Sequence, residues 1–470
     1  MADCSHPVLA LPKPLWPSAP GQEQAWQAAE GRSGLRIAMI GGGYVGLVSA
    51  ACFADLGTEV AVVEVDKQRL GALQEGRMPI YEPGLDHLVA EGVAAGRLTF
   101  GNDLAKAVDG AEAIFIAVGT PTRRGDGHAD VSYVLAAAEQ VARALTGYAV
   151  VVTKSTVPVG TGRRIAEIMR RVRPELEADV ASNPEFLREG SAIGDFMRPD
   201  RVVIGTKSER AREVLGRLYR PLSLIEAPIL FTEIETAELT KYAANSFLAM
   251  KVTFINEMAD LCEKVGADVH DVARGIGMDQ RIGRKFLHPG PGFGGSCFPK
   301  DTLALMRISQ DWGAPSRLVE TTVAVNEARK AGMAARIIQL AGGSVHGKTV
   351  AVLGLTFKPE TDDMRDAPSV PIVARLVEEG AQVRAFDPIA MEHARPLLPE
   401  AVTYCHDAQE AINQADVLVV ITEWNEFRAL SPERVRETMR GRLVVDLRNV
   451  FDPPAMAAAG LQYFGMGRRA

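Results

Sequence analysis

The chain has 470 residues, more than one hydrophobic core usually serves, so two or three domains are expected. Its 47% hydrophobic and 24% charged residues suit an ordinary globular protein, and a formal net charge of -7 argues against a nucleic-acid or anionic-membrane partner. Five scattered cysteines (Cys4, Cys52, Cys262, Cys297, Cys405), never in a CxxC pair, offer neither a metal site nor a disulfide framework and fit a reducing, cytoplasmic compartment.

Residues 1–34 hold Pro7, Pro12, Pro14, Pro17 and Pro20 and lack a basic leader, so they read as a disordered extension rather than a secretory signal. No apolar run along the chain reaches membrane-spanning length. From Leu35 the pattern is strand ("LRIAMI"), glycine turn ("GGGYVG"), small-residue helix, then a second strand ("EVAVVEVD"). Apolar runs recur at "AEAIFIAVGTP", "YAVVVTKSTVP", "DVASNPEFL" and "RVVIG", with helical stretches between them. This alternation predicts an α/β, mostly parallel, doubly wound sheet over residues 35–230. Thr120, Thr156 and Glu185 follow strand ends and therefore share the edge where such sheets bind ligands.

About 30 residues from Phe231 lack proline and internal glycine until Gly266, which predicts one long helix opening a helical middle domain, 231–342. A glycine- and proline-rich loop, "HPGPGFGGSCFPKD", interrupts that domain. A second Rossmann-like α/β pattern, 343–465, opens at "KTVAVLGLTFKPETDD" and continues through "AQVRAFDP", "ADVLVVITEW" and "RLVVDLRNVFD". Its first turn lacks the glycine spacing of a dinucleotide site.

Gly41, Gly43 and Gly46 form GxGxxG between a strand and a helix. The first glycine permits the tight turn, the second lets backbone approach a pyrophosphate, and the third lets helix pack on strand. Glu64 ends the second strand about 20 residues on, where an acid accepts from the ribose hydroxyls of NAD and repels the 2′-phosphate of NADP. Asp66 is an alternative for that role, and Lys67 and Arg69 lie nearby.

Three features bear on chemistry. Cys297 is either a small buried thiol or a reactive one; the glycines of its loop suggest backbone close to a ligand, and Lys300 and Asp301 are placed to favour a thiolate and handle protons. Lys241 and Asn245, four apart, share a helix face that either stabilises an oxyanion or meets solvent. Glu185 is either a general base with a raised pKa or the partner of Arg188 in a loop salt bridge.

These segments together resemble the UDP-glucose 6-dehydrogenase family, within the wider UDP-glucose/GDP-mannose dehydrogenase superfamily, from about Leu35 to about Pro454. The motifs that carry the resemblance are "GGGYVGLVSA", "MPIYEPGL", "AVGTPT", "KSTVPVGT", "SNPEFLREG", "KYAANSFLAMKVTFINE", "GMDQRIGRKFLHPGPGFGGSCFPKD" and "GLTFKPETDDMRDAPS". The resemblance implies NAD-dependent, four-electron oxidation of UDP-glucose to UDP-glucuronate. It makes Cys297 the thiol nucleophile, places Lys241, Asn245 and Asp301 around the reacting C6 oxygen, and gives Glu185 to thioester hydrolysis with Thr156 holding the water. It extends the cofactor contacts to Tyr44, Val45, Lys67, Thr120, Thr156, Glu189, Lys300 and Arg365. Glu185, Phe186, Leu187, Lys241, Asn245, Phe286, Phe293, Gly294, Phe357, Lys358 and Arg448 fall where the family contacts the UDP-sugar. Arg281 matches an arginine supplied by a neighbouring subunit, which implies a homodimer or higher homo-oligomer. Glu64 departs from the aspartate more usual in the family. Related sugars, a UDP-N-acetylhexosamine or GDP-mannose, are the alternative substrates.

Overall fold

A computed structural model describes residues 34–123, 125–223 and 225–468. The proline-rich segment expected to be disordered lies, but for Gly34, outside the described residues. The chain divides into two compact units: residues up to Pro121 with Asp130–Lys241, and Thr122–Ala129 with residues from Tyr242 onward.

The first unit is an eight-stranded sheet ordered β3-β2-β1-β4-β5-β6-β7-β8. Its strands are β1 (Arg36–Ile40), β2 (Glu59–Val63), β3 (Leu98–Gly101), β4 (Ala113–Ile116), β5 (Ala149–Thr153), β6 (Ala178–Ser182), β7 (Val202–Gly205) and β8 (Ile229–Thr232). Neighbours pair in parallel except β6 with β7, which are antiparallel. Strand residues are apolar without alternation because both faces are covered. Ile37 and Met39 enter one core, Ala38 and Ile40 the other. The helices that matter here are α1 (Tyr44–Asp55), α2 (Lys67–Gln74) and α3 (Thr161–Val172).

Helix α4 (Ile234–Val265) runs 32 residues without a break, as the absence of proline and internal glycine predicts. Its residues to Lys241 belong to the first unit and the rest to the second. The second unit continues with α5 (Phe298–Asp311) and α6 (Arg317–Leu340). Its sheet comprises β9 (Thr349–Leu353), β10 (Gln382–Phe386), β11 (Thr403–Tyr404), β12 (Val417–Val420), β13 (Leu443–Asp446) and β14 (Gln462–Phe464). The order β11-β10-β9-β12-β13-β14 repeats that of the first six strands of the other sheet, and every pairing is parallel. Val350 and Val352 face one core, Ala351 and Leu353 the other. The α/β class with two Rossmann-like sheets and a helical stretch between them in sequence is thus as the apolar periodicity predicts. The short β3, β8, β11 and β14 are the strands that periodicity did not mark.

Among the described residues no helix is long and apolar enough to cross a membrane, and no group of three or more His, Cys, Asp or Glu side chains is arranged to hold a metal ion.

Candidate active site

In the first unit β1, β4, β5 and β6 end on one edge, and the order reverses between β2-β1 and β4, the place where open α/β sheets take their ligands. The glycine turn follows β1. Gly41 has φ +107°, and a Cβ there would lie 2.6 Å from the Ala117 carbonyl oxygen; a Cβ on Gly46 would lie 1.9 Å from the Gly41 oxygen. Helix α1 therefore packs on the turn only because both side chains are absent. Around Gly43, by contrast, the space within 4 Å of a Cβ is open, and its residue caps the α1 N-terminus. Open space before unpaired helix N–H groups suits a pyrophosphate.

Glu64, just past β2, is buried. Its carboxylate accepts from Gly42 N (3.0 Å), Asp66 N (2.8 Å) and the Arg69 guanidinium (2.9 Å). Asp66 is occupied otherwise: it caps α2, accepting from Gln68 N and Arg69 N, and those amides hold its carboxyl low. Lys67 opens α2 and is exposed; Thr120 is buried beyond β4. Val45 follows Tyr44 in the first turn of α1. An acid beside the glycine turn and an open helix head are what the adenosine half of NAD requires.

Thr156 follows β5 in a segment anchored by Ser155, whose hydroxyl donates to Val118 O (2.7 Å). Beyond β6, Glu185 is buried and accepts from Lys241 Nζ (2.9 Å) and Leu187 N (2.5 Å). Burial is the largest influence on its carboxyl and pushes upward; the Lys241 ammonium, the Leu187 amide and the Lys154 charge outweigh it and hold the group low. Both sequence alternatives for Glu185 are therefore corrected: its pKa is lowered, and Arg188 pairs with Asp195 instead. Lys241 is likewise buried, so its position on α4 is not a solvated face. The Phe186 ring carries the Arg201 guanidinium at 3.6 Å and the Lys241 ammonium at 5.4 Å; Glu189 follows in the same loop.

In the second unit Cys297 is half-buried at the head of α5, where a thiolate faces the positive end of the helix. The Ser296 hydroxyl is 3.4 Å from its sulfur. Asp301, one turn on, is buried and accepts from Asn245 Nδ2 (2.6 Å) and Lys300 Nζ (2.5 Å). Cys52, Cys262 and Cys405 are buried instead, and burial raises their thiols, Cys52 to about 12.

The glycines of the Cys297 loop require a second correction. A Cβ on Gly294 would lie 2.4 Å from the Asp366 carbonyl oxygen, and one on Gly295 would lie 2.6 Å from the Phe357 ring. The close approach they allow is to the protein's own chain rather than to open space. Gly295 N donates to Arg365 O, and the Arg365 guanidinium pairs with Asp363, which also accepts from Ser296 N. Phe293 and Phe286 both pack on Phe298, with centroids 5.9 Å apart. At the carboxyl edge of the second sheet Arg448 donates to Phe357 O (2.8 Å) and Ile421 O (2.9 Å), while the Lys358 ammonium lies 5.4 Å from the Phe357 ring. Arg281 pairs with Asp279 and is 89% exposed.

Three family models cover most of the described chain: the NAD binding domain of the UDP-glucose/GDP-mannose dehydrogenase family on residues 35–223, its central domain on 235–328 and its UDP binding domain on 351–453. The chain belongs to the UDP-glucose/GDP-mannose dehydrogenase family. As a member it is an NAD-dependent oxidoreductase. It is 58% identical over 436 residues, 92% of its length and 100% of the relative's, to a protein of Rhizobium meliloti named UDP-glucose 6-dehydrogenase. Among solved structures it is similar to a UDP-glucose dehydrogenase from Pyrobaculum islandicum (40% identity, TM-score 0.85, 93% of this chain and 99% of that one). It is also similar to a UDP-D-ManNAc dehydrogenase from Pyrococcus horikoshii (27% identity, TM-score 0.80, 92% and 99%).

Sequence reasoning missed several polar groups of this family member. Lys154 is fully buried beyond β5 and donates to Asn183 Oδ1 (3.0 Å) and Tyr219 OH (3.3 Å). Burial, joined by the Lys241 charge and opposed by Glu185, lowers it to about 8. Glu82 is buried and accepts from Tyr44 OH, Gly190 N (2.6 Å) and Ala192 N (2.7 Å). The signal was a charged residue inside an otherwise apolar or glycine-proline motif, "VVVTKSTVP" for the first and "MPIYEPGL" for the second.

Proposed function

We propose that the protein oxidises the C6 alcohol of UDP-glucose to the carboxylate of UDP-glucuronate, with Cys297 holding the intermediate. The observation that carries this reading is Cys297 at the head of α5, with buried Asp301 one turn behind it bonded to Asn245 and Lys300. The choice of sugar rests on the 58% identical relative. We assign residues 35–230 to the cofactor, 231–342 to catalysis and assembly, and 343–465 to the UDP-sugar.

NAD, when bound, accepts one hydride at each of two oxidations. At the first, the Asp301 and Lys241 networks receive the hydroxyl proton. The Cys297 sulfur then bonds to the aldehyde carbon, and the thiol proton passes to the carbonyl oxygen. This thiohemiacetal keeps the aldehyde in the site and presents a second C–H for oxidation. Loss of a hydride and of the hydroxyl proton, the latter to the same Asp301 and Lys241 networks, leaves a thioester. Water held by Thr156 and Glu185 attacks that carbonyl, the C–S bond breaks, and the thiol is regenerated. Lys241 and Asn245 stabilise the tetrahedral oxyanions. Glu185, held low by Lys241, acts as a carboxylate that orients water.

Counting NADH against sugar consumed tests this directly. Two NADH per UDP-glucose are expected, and a ratio of one removes the covalent role of the thiol. Turnover of UDP-N-acetylmannosamine but not UDP-glucose would overturn the sugar assignment.

A homodimer or higher homo-oligomer completes the proposal. Phe247, Phe254 and Leu261 recur every seven residues on α4 and are 57%, 45% and 52% exposed, an apolar stripe suited to a second copy. Exposed Arg281 is available to reach that copy. Light scattering is expected to give a dimer or larger for the native chain and a monomer for Phe254→Glu; a monomeric native chain would count against it. The five scattered cysteines, never in a CxxC pair, support a reducing, cytoplasmic location.

A further inference from the structure

We propose that Glu238 is a positioning residue for the reaction, fastening the segment that carries Thr156 to the helix that carries Lys241. Glu238 lies on α4 three residues before Lys241 and is buried. Its Oε2 accepts from Gly160 N (2.6 Å) and its Oε1 from Gly162 N (2.8 Å). These amides stand at the head of α3, whose cap, Gly160, has no side chain with which to accept from them. The contact is close: a Cβ on Gly162 would lie 2.5 Å from Ile234 Cγ2 on α4.

The other end of the segment is fixed too. Lys154 N and Ser155 N donate to Ile116 O, and the Ser155 hydroxyl donates to Val118 O. Thr156 lies between the two fixings. One turn beyond Glu238, Lys241 holds Glu185. Thr156, Lys241 and Glu185, the groups assigned above to thioester hydrolysis, are thus joined through one carboxylate that the mechanism does not otherwise use. The inference rests on that reading of the mechanism.

The fastening responds to pH. Burial is the main influence on the Glu238 carboxyl and raises it; the Gly162 and Gly160 amides oppose, Glu235 on the same helix adds to the rise, and Arg163 in the first turn of α3 lowers it, leaving it at about 7. Arg163 is itself paired with Glu235 (2.9 Å). Both oxygens are used as acceptors, so a proton on either weakens one amide bond. The segment is held fully above pH 7 and loosened below it.

The test is turnover of UDP-glucose by the full chain and by Glu238→Gln between pH 6 and 8.5, with mass spectrometry of quenched enzyme to detect sugar bonded to Cys297. At pH 8.5 kcat is expected to fall roughly tenfold or more in the variant, the scale of a small misplacement of reacting groups. KM for UDP-glucose and NAD stays within about twofold, because the residue touches neither. The variant loses the acidic limb centred near pH 7, and covalent enzyme accumulates at every pH. A merely structural role predicts a lower melting temperature with kcat and its pH profile unchanged, and that result overturns the proposal. If Glu238→Gln does not fold, Glu238→Asp replaces it: a shorter carboxylate should keep the limb and lower kcat, and a profile superimposed on the native one overturns the proposal. Native turnover of UDP-glucose separately tests the reading on which the inference stands.

Discussion

Cys297→Ser is expected to yield at most one NADH per UDP-glucose and to lower steady-state release of the acid by roughly 10³-fold or more, the range in which covalent nucleophiles act. Serine fills nearly the same volume at the head of α5, so the Asn245–Asp301–Lys300 network behind it is left in place. The first hydride transfer uses the Asp301 and Lys241 networks and not the sulfur, so it proceeds. The hydroxyl, however, is ionised far less readily than a thiol and captures the aldehyde as a hemiacetal poorly, so the second oxidation lacks its substrate. The sugar is therefore held as aldehyde, or as a covalent adduct that fails to turn over. A single-turnover experiment with product analysis reads both quantities, and full acid production by the variant would contradict a covalent role for the thiol.

The second large effect concerns the buried ion pair. Lys241→Met is expected to lower kcat by two orders of magnitude or more, on the scale of losing an oxyanion donor. It should also destabilise the fold by roughly 3–5 kcal/mol, because it removes the ion-pair partner of buried Glu185 and leaves only the more distant Lys154 charge to oppose it. For a unit of this size that is a melting temperature lower by roughly 10 °C. The pH dependence separates the two consequences. In the native chain the Glu185 carboxyl is held low, so its contribution to stability is present above the ordinary carboxylate range and is lost as pH falls through its own pKa. Without Lys241, burial dominates and the carboxyl rises, so stability should instead be lost as pH increases from the ordinary carboxylate range toward neutral. Adding Glu185→Gln to Lys241→Met removes the buried charge and should restore much of the melting temperature without restoring turnover. If the single variant melts with the native temperature and pH profile, the pair does not carry this energy.

Where the local rules agree with the global fold, the sequence was readable. The apolar runs without alternation marked ten strands because both sheets are covered on both faces, and the glycine turn after β1 could be assigned because each missing side chain had a distinct reason. The long α4 followed from a span without proline or internal glycine. What stayed hidden was pairing at a distance. Nothing near Glu185 in sequence favours Lys241, 56 residues away, over neighbouring Arg188, and only the fold decides between them. The loop glycines at 294 and 295 signalled a close approach but not what approaches, which is Phe357 and Asp366. Glu238 sat in a helical stretch rich in charge, with no local mark that its side chain turns inward to the head of another helix.

Glu82 links segments that are distant along the chain: its partners Tyr44, Gly190 and Ala192 lie 38, 108 and 110 residues away. One of them belongs to the glycine turn after β1, the others to the segment that follows Glu185. The mechanism proposed above, with its two oxidations, requires a spent dinucleotide to leave and a fresh one to enter while the sugar stays bonded to the protein. Because a single carboxylate ties both segments, neither can shift far without breaking a bond to the other.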